Sequence, residues 1–190
     1  MRFLVDTVIE PEGGLSMTYP RYGEPPWVAS DIIADLALQA LRKANQDLNV
    51  IVDRTVVIEN GEEVPYVIPG VKFNFGEYYG DAIQFIAGTV FQRVYATRTG
   101  AIRSRHHVIR GQNDEPDWEA SDWVNLTDAD YEIDFNAVRT RLVVFSAGGA
   151  ELFEDPSLMN IARGWHRTAS IEVPWADTPA KRRLAAQNIF

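Results

Sequence analysis

The residues of this chain that could do chemistry are three histidines, many carboxylates, one serine before a glycine pair, and a cluster of arginines. His106 and His107 are adjacent, so in a strand they face opposite sides and cannot share one metal. His166 stands alone, and neither an H-x-H nor an H-x-x-x-H spacing occurs. These read as polar hairpin and loop histidines, not as ligands. Carboxylates come in runs: Glu62-Glu63, Glu154-Asp155, and the set from Asp114 to Asp134. General acid and base work needs two carboxyls held in unlike environments. A run this dense reads instead as a solvated or counter-charged surface. Asp128-Ala129-Asp130 with Glu132 and Asp134 has the look of a calcium loop. It lacks the sixth-position glycine and a twelfth-position acid in register. Ser146-Ala147-Gly148-Gly149 follows a strand-like run, but it has no G-x-S-x-G elbow and no phosphate-loop spacing. It reads as a strand-ending turn. With no cysteine in the chain, disulfides, thiolate metal sites and thiol catalysis are excluded. The expectation is a protein with no catalytic residue, no metal and no cofactor.

The arginines are the unusual feature. Ala82 to Asn113 contains no Asp or Glu and carries Arg93, Arg98, Arg103, Arg105 and Arg110. Asp114 to Val138 reverses this, with nine acids and no Lys or Arg. One use for such a basic block is nucleic-acid binding, with Phe91 and Tyr95 interleaved. The net charge of -9 opposes it. Another use is self-assembly: a basic projection and an acidic patch on one chain are complementary between neighbours. A head-to-tail contact of that kind closes into a ring or continues as a helix. The plainest reading has the two blocks neutralising each other inside one monomer. Charge pairs at a rim contribute to register and on-rate more than to affinity, so aromatics must supply the binding energy. The candidate interface residues are therefore Arg98, Arg103 and Arg105 on the basic side, Trp118 and Trp123 on the acidic side, and Tyr22 and Trp27 on a proline-rich arm.

What must position these residues is one well-packed core. At 190 residues, 46% hydrophobic and 24% charged, the chain has the composition of a globular domain. Phe3 to Ile9 reads as a strand, and Tyr19 to Trp27, with Pro20, Pro25 and Pro26, as an extended loop. Ser30 is the expected N-cap of a helix reaching about Asn45, with Ile32, Ile33, Leu36, Ala37, Ala40 and Leu41 on one face. Val50 to Ile58 reads as a strand, turned at Asn60-Gly61 into Val64 to Phe75, which Pro65 and Pro69 weaken or bend. Ala82 to Thr99 fits either period, with strand favoured from Thr89. Thr99-Gly100-Ala101 then pairs Val90 to Thr97 with Ile102 to Arg110. The expected hairpin has an apolar base in the core and a basic tip in solvent. Tyr131 to Phe135, Arg139 to Ser146 and Ser170 to Trp175 read as strands. Asp155-Pro156 and Thr178-Pro179 read as helix starts. The fold class is α+β: an antiparallel sheet with one main packed helix, a protruding hairpin and extended terminal arms. It is one domain over 1–190, with an arm at 1–27, a core at 28–175 and a C-terminal helix or tail at 176–190.

The helix from Ser30 to Asn45, the hairpin from Val90 to Arg110 and the arms Pro11 to Trp27 and Ala176 to Phe190 together resemble the small ring-forming proteins of tailed bacteriophages. These are the neck, head–tail connector and tail-terminator subunits. The resemblance is one of organisation and transfers no individual binding residue. It implies a non-enzymatic virion protein that forms a homo-oligomeric ring, binds neighbouring virion proteins and lets DNA pass without holding it. Two other readings stay open: a hydrolase using the Asp/Glu cluster, and a small nucleic-acid-binding accessory protein. The acid at Asp6 and the short apolar runs imply no signal peptide and no membrane span. The expected place is the virion, after assembly in the host cytoplasm.

Overall fold

One helix, α1 (Ala29–Lys43), organises the main core. The computed structural model describes residues 6–11, 16–98, 101–106, 139–156 and 166–189. The apolar stripe read from the sequence is the buried stripe: Ile32, Leu36, Ala37 and Ala40 have no exposed surface. Full burial of a side chain such as Leu36 contributes about 2 kcal/mol. The helix starts one residue before the expected Ser30 cap. Val28 takes the N-cap position without a side-chain bond, and Ser30 is buried in the first turn. The physical reason is tertiary. Trp27–Val28 forms strand β2, which pairs antiparallel with Val67–Ile68, and the Ala29 N–H donates to the Tyr66 carbonyl at 3.0 Å. The residue before the Val67–Ile68 strand thus satisfies one of the orphan donors of the first turn. At the other end Asn45 adopts φ 51°. The Asn45 N–H donates to Arg42 and the Gln46 N–H to Leu41, which is the Schellman arrangement.

Around α1 lie short strands. β1 (Ser16–Tyr19) pairs antiparallel with β7 (Val71–Asn74). β3 (Val50–Val52) and β4 (Val56–Glu59) replace the single strand expected over Val50 to Ile58. β4 pairs with β5 (Glu62–Pro65) through Asn60 and Gly61, both at positive φ as a two-residue hairpin demands. Pro65 and Pro69 break the long second strand into β5, β6 (Val67–Ile68) and β7. Helix α2 (Tyr79–Thr89) takes the first part of the ambiguous stretch, up to the residue from which the pattern favours strand, and packs beside α1. Phe91 at φ 57° then turns the chain into β8 (Gln92–Ala96), which pairs antiparallel with β9 (Ile102–His106). β9 also pairs in parallel with β3.

A second cluster of buried residues, among them Leu142, Val144, Val173 and Ala185, lies under β10 (Arg141–Ser146) and α3 (Pro179–Gln187). β10 is flanked by β11 (Gly149–Glu154), antiparallel, and β12 (Thr168–Glu172), parallel. The Ser146–Gly149 turn is the strand-ending turn expected, and it opens into β11, a strand that the sequence pattern does not announce. Gly148 presses on the chain before α3: a Cβ there would collide with the Asp177 backbone. Thr178 caps α3 as expected, accepting from the Lys181 N–H with Pro179 in the first turn.

The α+β class holds, with three helices and small, mostly antiparallel sheets among the described residues. Of the two forms expected for the C-terminal segment it takes the helix, packed with Lys181, Arg182, Ala185 and Ala186 buried. Two details differ from expectation. The N-terminal arm is stitched in by β1 and by an isolated bridge between Val8 and Tyr78. The hairpin does not stand clear of the fold, because its second strand is the middle strand of a sheet. The first residues of the expected Phe3 to Ile9 strand, the Tyr131 to Phe135 strand and most of the helix after Asp155-Pro156 lie outside the described residues. No described helix is long and apolar enough to cross a membrane.

Candidate functional site

The basic hairpin sorts its side chains by face, not by distance from the turn. Directly opposed residues of paired strands share a face. On the outer face Arg93 opposes Arg105, and Arg103 sits between Tyr95 of β8 and Ile51 of β3. Ile51, Tyr95, Arg93 and Arg105 are exposed there, and Arg103 is half-buried. Its guanidinium reaches Asp53 at 3.9 Å. Arg98 is exposed at the turn. The expected apolar base and basic tip hold in part, since Val90 is buried and Arg98 is in solvent. But Ala101 and Ile102, beside the turn, are buried too, Arg105, far from it, is exposed, and Val108 and Ile109 lie outside the described residues. The cause is β3, which lies along β9 and covers its turn end; the Ile102 N–H donates to the Asn49 carbonyl. On the inner face a buried polar network fixes the sheet. Gln92 Nε2 donates to the Asp53 carbonyl at 2.8 Å and to Thr55 Oγ1, and Ser104 Oγ donates to Gln92 Oε1 at 2.7 Å. His106 joins at the edge, with its Nε2 3.2 Å from the Arg54 carbonyl.

The proline-rich loop between β1 and β2 presents Tyr22, the most exposed large hydrophobic residue described. Its base is rigidly tied. Arg21 Nη2 donates to Asp35 Oδ2 at 3.1 Å and its guanidinium lies 5.6 Å from the Trp27 ring centre. Trp27 Nε1 donates to Glu24 Oε2 at 2.8 Å, and the Trp27 ring meets Tyr19 edge-on at 5.1 Å. Asp35 is the hub: the same Oδ2 accepts from Tyr19 Oη at 2.5 Å and from Gln39 Nε2 at 2.7 Å. Tyr79 Oη donates to Gln39 Oε1. Burial, and after it the hydrogen bond to Asp35, holds the Tyr19 phenol far above its ordinary value. Burial also raises Tyr79, helped by the charges of Asp35 and Glu10. Both phenols stay protonated near neutrality and serve as fixed donors. This network borders an open hollow of about 620 Å³ that Tyr22, Arg42 and Lys43 also line.

A second open hollow, of about 580 Å³, lies between β7 and α2. Phe73 and Ala82 are its buried members; Tyr78 and Phe85 are exposed at it.

Of the residues chosen from sequence, Tyr22 and Trp27 share one loop and Arg98, Arg103 and Arg105 share one hairpin. Trp118, Trp123 and the acids from Asp114 to Asp134 lie outside the described residues. Among the described residues no group of three or more His, Asp or Glu is placed to hold a metal. Ser146 Oγ is engaged by its own turn, 3.3 Å from the Gly149 carbonyl and from the Gly148 N–H. Sequence reasoning missed Asp35 and Gln39, which lie off the apolar stripe of the helix. Their four-residue spacing was the available signal, but the tyrosines they serve come from distant segments. It also missed Tyr78 and Phe85, whose exposure depends on how α2 is turned.

No family model matches this chain, and no curated protein sequence does. Solved structures do. A tail protein from Neisseria meningitidis MC58 aligns with a TM-score of 0.55 and 17% identity, over 98% of this chain and 50% of its own. The 43 kDa tail protein of prophage MuSo2 from Shewanella oneidensis aligns with a TM-score of 0.56 and 14% identity, over 99% of this chain and 48% of its own. The chain thus spans about half the length of each. At these identities the likeness is one of fold.

Proposed function

We propose that this chain is a non-enzymatic structural subunit of a phage tail, and that it assembles with copies of itself into a ring at the neck or tail end. The observation that carries this reading is the fold likeness to two tail proteins along nearly the whole chain. The surface supports it. A cationic sheet face bearing Arg93, Arg103, Arg105 and an exposed tyrosine suits contact with an acidic neighbour, and the same sequence carries its acids in a separate block. The inner face is locked by a satisfied polar network, so the outer face is presented by a rigid platform. In this reading the basic hairpin face of one copy meets the Asp114 to Asp134 stretch of the next, and other tail or neck proteins are its further partners. Its place is the virion. A net charge of -9 suits a wall past which DNA moves without being held.

The test is a variant with Arg98, Arg103 and Arg105 all changed to alanine, compared with the parent by native mass spectrometry at matched salt. Self-association at least about 10-fold weaker is expected, the size of a set of charge pairs in one interface. An unchanged oligomer would remove the hairpin from the interface.

A further inference from the structure

We infer that Tyr22 is the anchor of that self-association and that its seat is the hollow between Tyr78 and Phe85 on the next copy. The inference rests on the assembly reading and names the aromatic contact within it. Exposed tyrosines on mobile loops lose much of their binding energy to ordering. Tyr22 does not stand on such a loop. The Arg21 N–H donates to Glu24 Oε2, the Glu24 N–H donates back to the Arg21 carbonyl, and Glu24 also holds Trp27. Arg21 is tied in turn to Asp35 on α1. The ring is wholly exposed while both its flanks are fixed, so docking it costs little entropy. Rigid aromatic anchors of this kind carry most of the energy in protein interfaces.

The seat has the matching chemistry. Phe73 and Ala82 are buried members of an apolar hollow, and Tyr78 and Phe85 remain exposed at it, 44% and 47%. Phe85 is steadied by an edge contact with Trp175 at 5.6 Å. Lys72 and Asp81 on the lining offer polar partners for a phenol hydroxyl, the arrangement an amphipathic ring requires. Charge selects a second copy as the occupant. Beside Tyr22, Lys43 is paired with Glu10 and Arg21 with Asp35, which leaves Arg42 exposed with no ion partner among the described residues. At the seat, Asn74 takes Glu77, which leaves Asp81 similarly without one. Arg42 and Asp81 complete each other across the contact. The two hollows have no lining residue in common. The contact joins two different patches, so it propagates around a ring or along a filament unless two copies exchange it reciprocally. A double variant with cysteine at both patches separates these, a ladder from propagation and a doubly linked dimer from exchange.

The absence of cysteine makes a direct test available. Tyr22→Cys and Asp81→Cys are purified separately, mixed and oxidised, and a disulfide-linked heterodimer is expected that neither variant forms alone. The double variant is expected to give a ladder of linked oligomers. Phe85→Cys is a second seat position, should Asp81→Cys disturb the contact. Tyr22→Ala is expected to weaken self-association by about 30-fold, the loss of one hot-spot residue. An oligomer of unchanged mass, in which the Tyr22→Cys thiol links to neither the Asp81→Cys nor the Phe85→Cys thiol, would overturn this contact and leave the assembly reading intact. A parent chain that is monomeric throughout would overturn both.

Discussion

Helices α1 and α3 each close over a cluster of buried apolar residues, but opposite kinds of side chain fasten them. α1 buries Ile32, Ile33, Leu36 and Leu41, so its attachment is non-directional and scales with area removed from water. α3 buries two cations with its alanines. Lys181 Nζ donates to Asp177 at 2.7 Å and to the Val67 carbonyl at 3.0 Å, and sits 4.8 Å from the Tyr66 ring centre. Arg182 Nε donates to Glu151 at 3.1 Å, and its Nη1 donates to the carbonyls of Ala176 and Asp177. Charges buried this way are stabilising only while every partner is in place. α1 is thus expected to be the last element to open. α3 is held by a lock that pH and single substitutions can release, which places it among the first.

The largest effect should come from the apolar side. Leu36→Ala is expected to cost about 3 to 4 kcal/mol in urea unfolding, because it opens a cavity where nothing polar can compensate. A loss near 1 kcal/mol would mean the site collapses and α1 is less central than its burial implies. Arg182→Ala should cost about 2 to 3 kcal/mol, since it strips the donor from a partly buried carboxylate and two carbonyls. Hydrogen exchange should then rise in α3 and β11 while α1 stays protected; uniform loss of protection would erase the distinction between the two helices.

The smallest effect is in the pH dependence. Burial pushes Asp177 up, but the hydrogen bond and charge of Lys181, with backbone N–H groups, bring it below its ordinary value. A depressed carboxylate contributes stability that is complete above the unfolded value, about 4, and is lost as pH falls through the folded one. Asp177 is half exposed, so the contribution is modest. As pH falls from about 5 to about 3, the parent should lose more stability than Asp177→Asn. Equal acid slopes would assign the lock elsewhere.

The same contrast explains what is legible in the sequence. α1 is readable because its apolar residues recur at helical spacing and its burial follows from that spacing alone. Asn60-Gly61 and Thr178-Pro179 are readable because their local chemistry forces one geometry. The switch from α2 to β8 is readable only to within a few residues, since the left-handed position that usually holds glycine or asparagine is filled by Phe91, which packs on the second cluster. The expected Ser30 cap lies two residues from the observed one, Val28, because pairing with Val67–Ile68 and the Tyr66 carbonyl, distant in sequence, hold the chain there. In the candidate site, Tyr22 and the arginines stand out by composition. Their sorting by face needs the parallel pairing of β3 with β9, which periodicity within a single segment does not encode. Asp35 as hub and the Tyr78–Phe85 seat exist only once α1, β7 and α2 are assembled.

The most direct test of the assembly claim is the mass of the purified protein in solution, followed by light scattering across concentration and salt. A discrete closed oligomer, an integer multiple of the 21.4 kDa chain, is expected. It should dissociate as salt screens the rim charges and weaken further on dilution. A single species of one chain's mass at every concentration and salt would contradict self-assembly and return attention to the carboxylates of Asp114 to Asp134.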